Sequence, residues 1–234
     1  MLQLIPADAR FFADLGGLQA HFLFSFAHYY DPANVEFGPL RTFNDVTLAP
    51  RTALPLHPHT EVEIVTIVLD GALTYSDAAG NHRDVRAGHV LRLTAGTGTQ
   101  HAEANRGNGP AHALELWFRP GQAGLLPSQE QKMIAFQPRA AAWTALVSGR
   151  GDGGEAAVFL NCDATVWWAS LAPGVSLPYV ADDDRQLLVY AVAGTATING
   201  ESLPAGAHFR CSPAARLTIA TAAGASVVLV DVAQ

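Results

Sequence analysis

Short, closely spaced runs of β-branched, leucine and aromatic residues carry most of the hydrophobic signal along this chain. Glu63–Leu69, Val90–Leu93, Ala113–Phe118, Thr165–Leu171, Leu187–Val192 and Ser226–Val232 read as strands, because these residue types fit a pleated, half-buried surface. Glycine-bearing turns punctuate them at Asp70-Gly71, Ala79-Gly80-Asn81, Ala87-Gly88, Ala193-Gly194, Asn199-Gly200 and Ala205-Gly206. Such spacing predicts a sandwich or barrel. Helical signal is confined to the middle, where a short helical turn is expected around Gln129–Ala135 as a bridge between two halves.

The two halves repeat one another. Glu63–Leu69, Gly71 and a second strand lead to Gly88 and His89-Val90. Gln186–Val192, Gly194 and a second strand lead to Gly206 and His208-Phe209. The shared order predicts an all-β architecture of two similar antiparallel barrels in tandem, with boundaries at residues 1–122 and 123–234.

Composition narrows the function classes. At 234 residues, with 49% apolar and 15% charged side chains, the chain can bury a substantial core. A formal net charge of −7 and the lack of any basic run argue against a surface that tracks nucleic-acid phosphates. No apolar run approaches membrane-spanning length, and the stretch from Met1 to Arg10 lacks a charged leader followed by an apolar segment. A cytoplasmic protein is expected. Cys162 and Cys211 match no C-x-x-C pattern and are expected to be small core residues in a reducing compartment.

The candidate chemistry lies in His57-Pro58-His59 and His101-Ala102-Glu103, two pairs of identical internal spacing in strand-like stretches. In an extended chain, residues two apart project to one face, roughly 6.5 to 7 Å apart, so each pair can aim two side chains at one point. Brought together, the pairs form a site of three imidazoles and one carboxylate. That set suits a divalent first-row ion such as iron, nickel, copper, manganese or zinc, and leaves positions open on an octahedral ion. Open positions favour chemistry over a structural staple. The glycine-rich approach from Thr94 to Gly98 lets the chain turn tightly before it delivers the second pair. In the second half, Leu177-Pro178-Tyr179 or its near neighbours stand where the repeat matches His57-Pro58-His59, and no His-x-Glu follows Cys211. The second barrel is therefore expected to keep the shape without the metal.

Four stretches resemble the pirin family of the cupin superfamily, close to its bacterial branch that includes quercetinases. They are His21–Pro32, Arg41–Asp45, His57–Thr66 and Thr94–Glu103, which fall in order and cover most of residues 20–120. The resemblance implies a bicupin of two antiparallel, jelly-roll type barrels with the metal in the N-terminal one. It places the four ligands on His57, His59, His101 and Glu103, and implies iron(II), with nickel, copper, manganese, cobalt or zinc as alternatives. In a flavonol-cleaving dioxygenase of this kind Glu103 would also be the catalytic base. The same ligands serve a second reading, a non-catalytic pirin-type regulator whose metal state controls binding to a protein partner. This chain departs from the family at Thr60-Glu61, where many members carry an Arg-Gly or Lys-Asp type pair, and at Ala102, where serine is frequent.

Other residues are open to plainer readings. Glu61 and Glu63 share the parity of His57 and His59 and are candidates for contacts behind the ligands. Phe26, Phe43 and Leu54 fit an apolar mouth or ordinary core. His21, His28, His82, His112 and His208 lack paired spacing and read as surface or core histidines. Trp117, Trp143, Trp167 and Trp168 fit barrel packing better than a platform for bases. Residues 149–154 read as a flexible turn.

Overall fold

The computed structural model describes residues 2–78, 80–134, 136, 142–151, 157–212 and 216–234. Every strand foreseen from the hydrophobic pattern is present. The chain forms two compact units, one of Phe11–Ile134 with Val158–Cys162, the other of Met1–Arg10, Ala135–Ala157 and Asp163–Gln234. Each is built almost entirely of antiparallel strands, in line with the expected pair of barrels.

In the first unit a seven-stranded sheet runs in the order Ser128–Met133, His89–Thr94, Glu63–Asp70, Ala111–Phe118, Leu40–Leu48, Leu18–Phe22, Phe11–Asp14. A four-stranded sheet runs Thr52–His59, Thr99–Asn105, Ala72–Asp77, His82–Arg86. The inner faces meet in a core that includes Phe22, Val46, Ile64, Val68, Leu73, Leu91 and Leu93, as the period-2 burial of these strands requires.

The second unit repeats this plan. Its main sheet runs Leu2–Ile5, His208–Cys211, Arg185–Ile198, Ala225–Ala233, Ala164–Leu171, Thr144–Ser148, and Ser176–Val180 pairs with Arg216–Ala220. Its core is built on Leu187, Val189, Ile198, Leu203, Phe209, Leu217, Ile219 and Leu229.

Two sequence expectations need correction. Gln129–Ala135 is not helical: Ser128–Met133 is a strand whose residues pair with His89–Thr94, and Ala135 lies outside the described residues. The edge of the seven-stranded sheet recruits this polar stretch through backbone hydrogen bonds, overriding its weak helical preference. Helical connections are correspondingly scarce, and among the described residues the single helical element is a 3-10 turn at Ala7–Ala9. Nor is Ala193-Gly194 a turn. The strand Arg185–Ile198 runs through it with a register irregularity between Ala191 and Ala193, and crosses from one sheet to the other. Ala79, at the head of the Gly80-Asn81 turn, lies outside the described residues, as do Asp152, Gly153 and Gly154 of the glycine-rich turn. The described part of that turn anchors Arg150, which donates to Asp182 at 2.8 Å. No helix among the described residues is long and apolar enough to cross a membrane.

Gly71 and Gly194 occupy matching corners of the two units. Each has positive φ, and a Cβ there would lie 2.7 Å from the Pro110 carbonyl oxygen or 2.2 Å from that of Gly224. Gly194→Ala is expected to destabilise the protein by about 2–4 kcal/mol, combining backbone strain with a clash against main chain that cannot yield. Gly200→Ala, where φ is positive but nothing lies within 4 Å, should cost only about 1 kcal/mol. Urea unfolding of the two variants checks the difference, and equal costs would refute the steric account.

Candidate metal centre

The antiparallel pairing of Thr52–His59 with Thr99–Asn105 sets His101 directly opposite His57. His59, two residues on from His57, shares the same face, and the three rings converge with centroids 4.5 to 4.8 Å apart. One ring nitrogen of each lies within 4.8 Å of the other two. His101 is buried, and His57 and His59 are half-buried.

Tautomers and charge both favour ligation. His57 Nδ1 lies 2.8 Å from the Pro55 carbonyl oxygen, which can only accept, so Nδ1 carries the proton and Nε2 keeps a free lone pair. His59 Nε2 and both ring nitrogens of His101 are buried with no hydrogen-bond partner among the described residues. Burial, reinforced by the neighbouring imidazoles, lowers the pKa of His59 to about 4 and that of His101 to about 3. Both are neutral at physiological pH, the form that binds metal. Orphaned nitrogens on neutral, converging imidazoles fit a divalent transition ion, whose bonds would replace the missing hydrogen bonds.

Glu103 lies on the same strand and face as His101, beyond a register irregularity, opposite Leu54 on one side and Tyr75 on the other. It is buried, and its carboxyl shares a hydrogen bond with Glu115. Burial first, then the Glu115 charge and hydrogen bond, raises its pKa well above the usual carboxylate range, while burial pushes Glu115 up to about 7. The tight cluster of donor atoms comprises the three histidines; Glu103 is adjacent on the same face and engaged with Glu115.

Glu115 and Tyr75 went unread in the sequence, and Trp117 was read there only as barrel packing. On Ala111–Phe118 the residues Ala113, Glu115 and Trp117 alternate inward, so a charged residue on the core-facing parity of an apolar strand was the available signal. Trp117 stands edge-on to His59 at 4.9 Å and 90°, and Phe26 stands edge-on to Trp117 at 5.1 Å. Of the residues proposed for an apolar mouth, Phe26 and Leu54 therefore lie near the centre. Phe43 does not, because its neighbours Asn44 and Val46 fix its parity to the other face.

Glu61 and Glu63 point elsewhere. Glu61 adopts a left-handed backbone with φ of 50°, which breaks the alternation after His59, and its carboxylate accepts from the Gly124 N–H. On the following strand Ile64 faces the core, so Glu63 faces away, and its Oε2 accepts from the Asn161 backbone and side chain at 3.1 and 3.0 Å. His112 Nε2 meets Asp45 at 2.6 Å, and that hydrogen bond raises its pKa. A groove of about 680 Å3, lined in part by Pro58, His59, Asp77, Thr99 and Pro127, opens against His59 at the strand ends.

Comparisons with known proteins agree with the two-unit fold. A family model described as Pirin matches residues 7–118, and one described as Quercetinase C-terminal cupin domain matches residues 145–232. A pirin-like protein of Caulobacter vibrioides is 37% identical over the full length of both chains. The quercetin 2,3-dioxygenase of Escherichia coli K12 is 32% identical over 86% of this chain and 85% of its own. The crystal structure of the bacterial pirin YhhW from Escherichia coli in complex with nickel(II) superposes with a TM-score of 0.92, at 27% identity, over 100% of this chain and 99% of its own.

The carboxyl pair sets a pH dependence. Because the folded-state pKa of Glu115 is raised to about 7 from 4.5, its contribution to stability is complete below pH 4.5 and is lost as pH rises through 7. Glu115→Gln is therefore expected to stabilise the metal-free protein at pH 8 by on the order of 1–3 kcal/mol, with the gain vanishing near pH 5. Urea denaturation at both pH values checks this, and a gain independent of pH would contradict it.

Proposed function

The chain belongs to the pirin family, and we propose that it is a metal-dependent dioxygenase that opens the ring of quercetin-like flavonols with release of carbon monoxide. The observation that carries this reading is the convergence of three imidazoles, two with unpartnered nitrogens, beside a buried carboxyl. Similarity to a relative named quercetin 2,3-dioxygenase supports the choice of substrate. His57, His59 and His101 would hold the ion, with Glu103 as the fourth ligand, and iron(II) is the ion we propose. Once bound, the ion lowers the proton affinity of the flavonol 3-hydroxyl and gives the electron-rich ring a path to dioxygen.

The protein's own groups supply the rest. Glu103, held in place by its hydrogen bond to Glu115, would take the 3-hydroxyl proton in its ionised form. His57 is kept in one tautomer by the Pro55 carbonyl, so its Nε2 lone pair is presented to the centre. Trp117 and Phe26, stacked edge-on beyond His59, close that side of the site with apolar surface. The groove against His59 has the volume of a small-molecule site. Flavonol and one molecule of dioxygen give carbon monoxide and a ring-opened ester, and the proton held on Glu103 returns to the product.

Anaerobic loading with iron(II), followed by air and quercetin, tests the proposal. Wild type should lose flavonol absorbance and release carbon monoxide, and His101→Ala should do neither. Glu103→Gln should retain part of the metal while turnover falls by about 10²–10⁴-fold, the range for loss of a general base. Metal uptake by wild type without consumption of any flavonol would overturn this reading in favour of a metal-sensing regulator of a protein partner.

A further inference from the structure

One polar group at this centre has no task in the reading above. Tyr75 stands directly across from Glu103 in the pairing of Ala72–Asp77 with Thr99–Asn105, so the two side chains share a face. Its ring lies against His101, with centroids 4.9 Å apart, and the residue belongs to the same core cluster as Leu73. The residue is 2% exposed, yet its hydroxyl has no hydrogen-bond partner among the described residues. Phenylalanine would fill the same space without burying an unpaired hydroxyl, which is costly. A tyrosine there makes physical sense if the partner arrives with whatever occupies the centre.

We propose that the Tyr75 hydroxyl donates a hydrogen bond to an anionic or enolate oxygen of the molecule held at the His57, His59 and His101 centre, and so fixes that oxygen beside Glu103. The donor inventory supports the assignment. The carboxyl proton of the Glu103–Glu115 pair is committed to their mutual hydrogen bond, and the His57 Nδ1 proton is already given to Pro55. The indole Nε1 of Trp117 is also buried without a partner, but it belongs to the His59 side of the cluster. Among the described residues Tyr75 alone combines an unpartnered O–H with a position opposite Glu103. For a flavonol, the oxygen received is the ionised 3-oxygen or its neighbouring carbonyl, so this inference rests on the metal-centre reading and refines the substrate side of it.

The test uses the full protein loaded with cobalt(II), with azide as a small anionic probe followed by visible absorption. Tyr75→Phe keeps the ring and should bind cobalt within about twofold of wild type. Its azide affinity should fall about tenfold, as expected for loss of one hydrogen bond to a charged group. The metal-free variant should melt no lower than wild type, because an unpaired hydroxyl has been removed, whereas a purely structural tyrosine would give a less stable protein. Leu73→Val, a packing change on the same strand and face, should leave azide affinity within about twofold. Unchanged azide affinity in a Tyr75→Phe protein that binds cobalt normally would overturn the role of Tyr75 alone. Failure of wild type to bind cobalt at all would remove the metal centre and this inference together.

Discussion

The centre depends on one strand register. Thr52–His59 and Thr99–Asn105 come from opposite ends of a long excursion through the first barrel, and only their antiparallel pairing with His57 opposite His101 brings three imidazoles into one space. A slip of one residue would turn every side chain of one strand to the other face and separate the two pairs. The register is held from both sides. Thr99–Asn105 is also paired with Ala72–Asp77, and the barrel behind it is closed by a core whose parity would be inverted by the same slip. Metal chemistry here is thus a property of sheet topology before it is a property of the histidines.

That topology gathers polar atoms where solvent is scarce, with electrostatic consequences. Neutral imidazoles, an unpaired phenol, an unpaired indole N–H and two carboxyls that share a hydrogen bond are packed into one end of an otherwise apolar interior. Each unpaired buried group costs stability, on the order of 1–3 kcal/mol. Such a concentration of unsatisfied groups is unusual for a core, and is the pattern expected where stability is traded for a site. A divalent ion would reverse the local logic, because its charge favours the ionised form of a carboxyl that burial otherwise holds protonated.

Much of this was legible in the chain. Period-2 alternation placed His57 with His59 and His101 with Glu103, and the β-rich segments with their glycine corners gave both barrels. What failed had local physical causes. Parity could not be carried from His59 to Glu63 because Glu61 adopts a left-handed backbone, a conformation seldom taken by a non-glycine residue and not announced by its neighbours. The strand Ser128–Met133 is polar and helix-compatible in composition, and only the waiting edge of His89–Thr94 makes it extended. Tyr75 and Glu115 were passed over because a tyrosine or glutamate in a strand is unremarkable until the fold shows which face it occupies.

The second barrel shows how the same frame behaves without the ligands. At the position matching His59 stands Tyr179, whose hydroxyl donates to Asp231 at 2.6 Å, and Arg185 Nε donates to the other oxygen of the same carboxylate at 2.6 Å. Arg185 also reaches Asp163 at 2.7 Å, so this buried guanidinium is matched by two carboxylates. Within this network every charged group has a partner, in contrast to the bare nitrogens of the first barrel's three-histidine centre. Breaking such a network by removing one member leaves an uncompensated buried charge, which is strongly destabilising. An Arg–Asp–Tyr network also cannot exchange its contents for a ligand. From one repeated fold the chain therefore builds one end closed by its own charges and another left open in hydrogen-bonding terms, and the open one is where an exchangeable ion and substrate can be held.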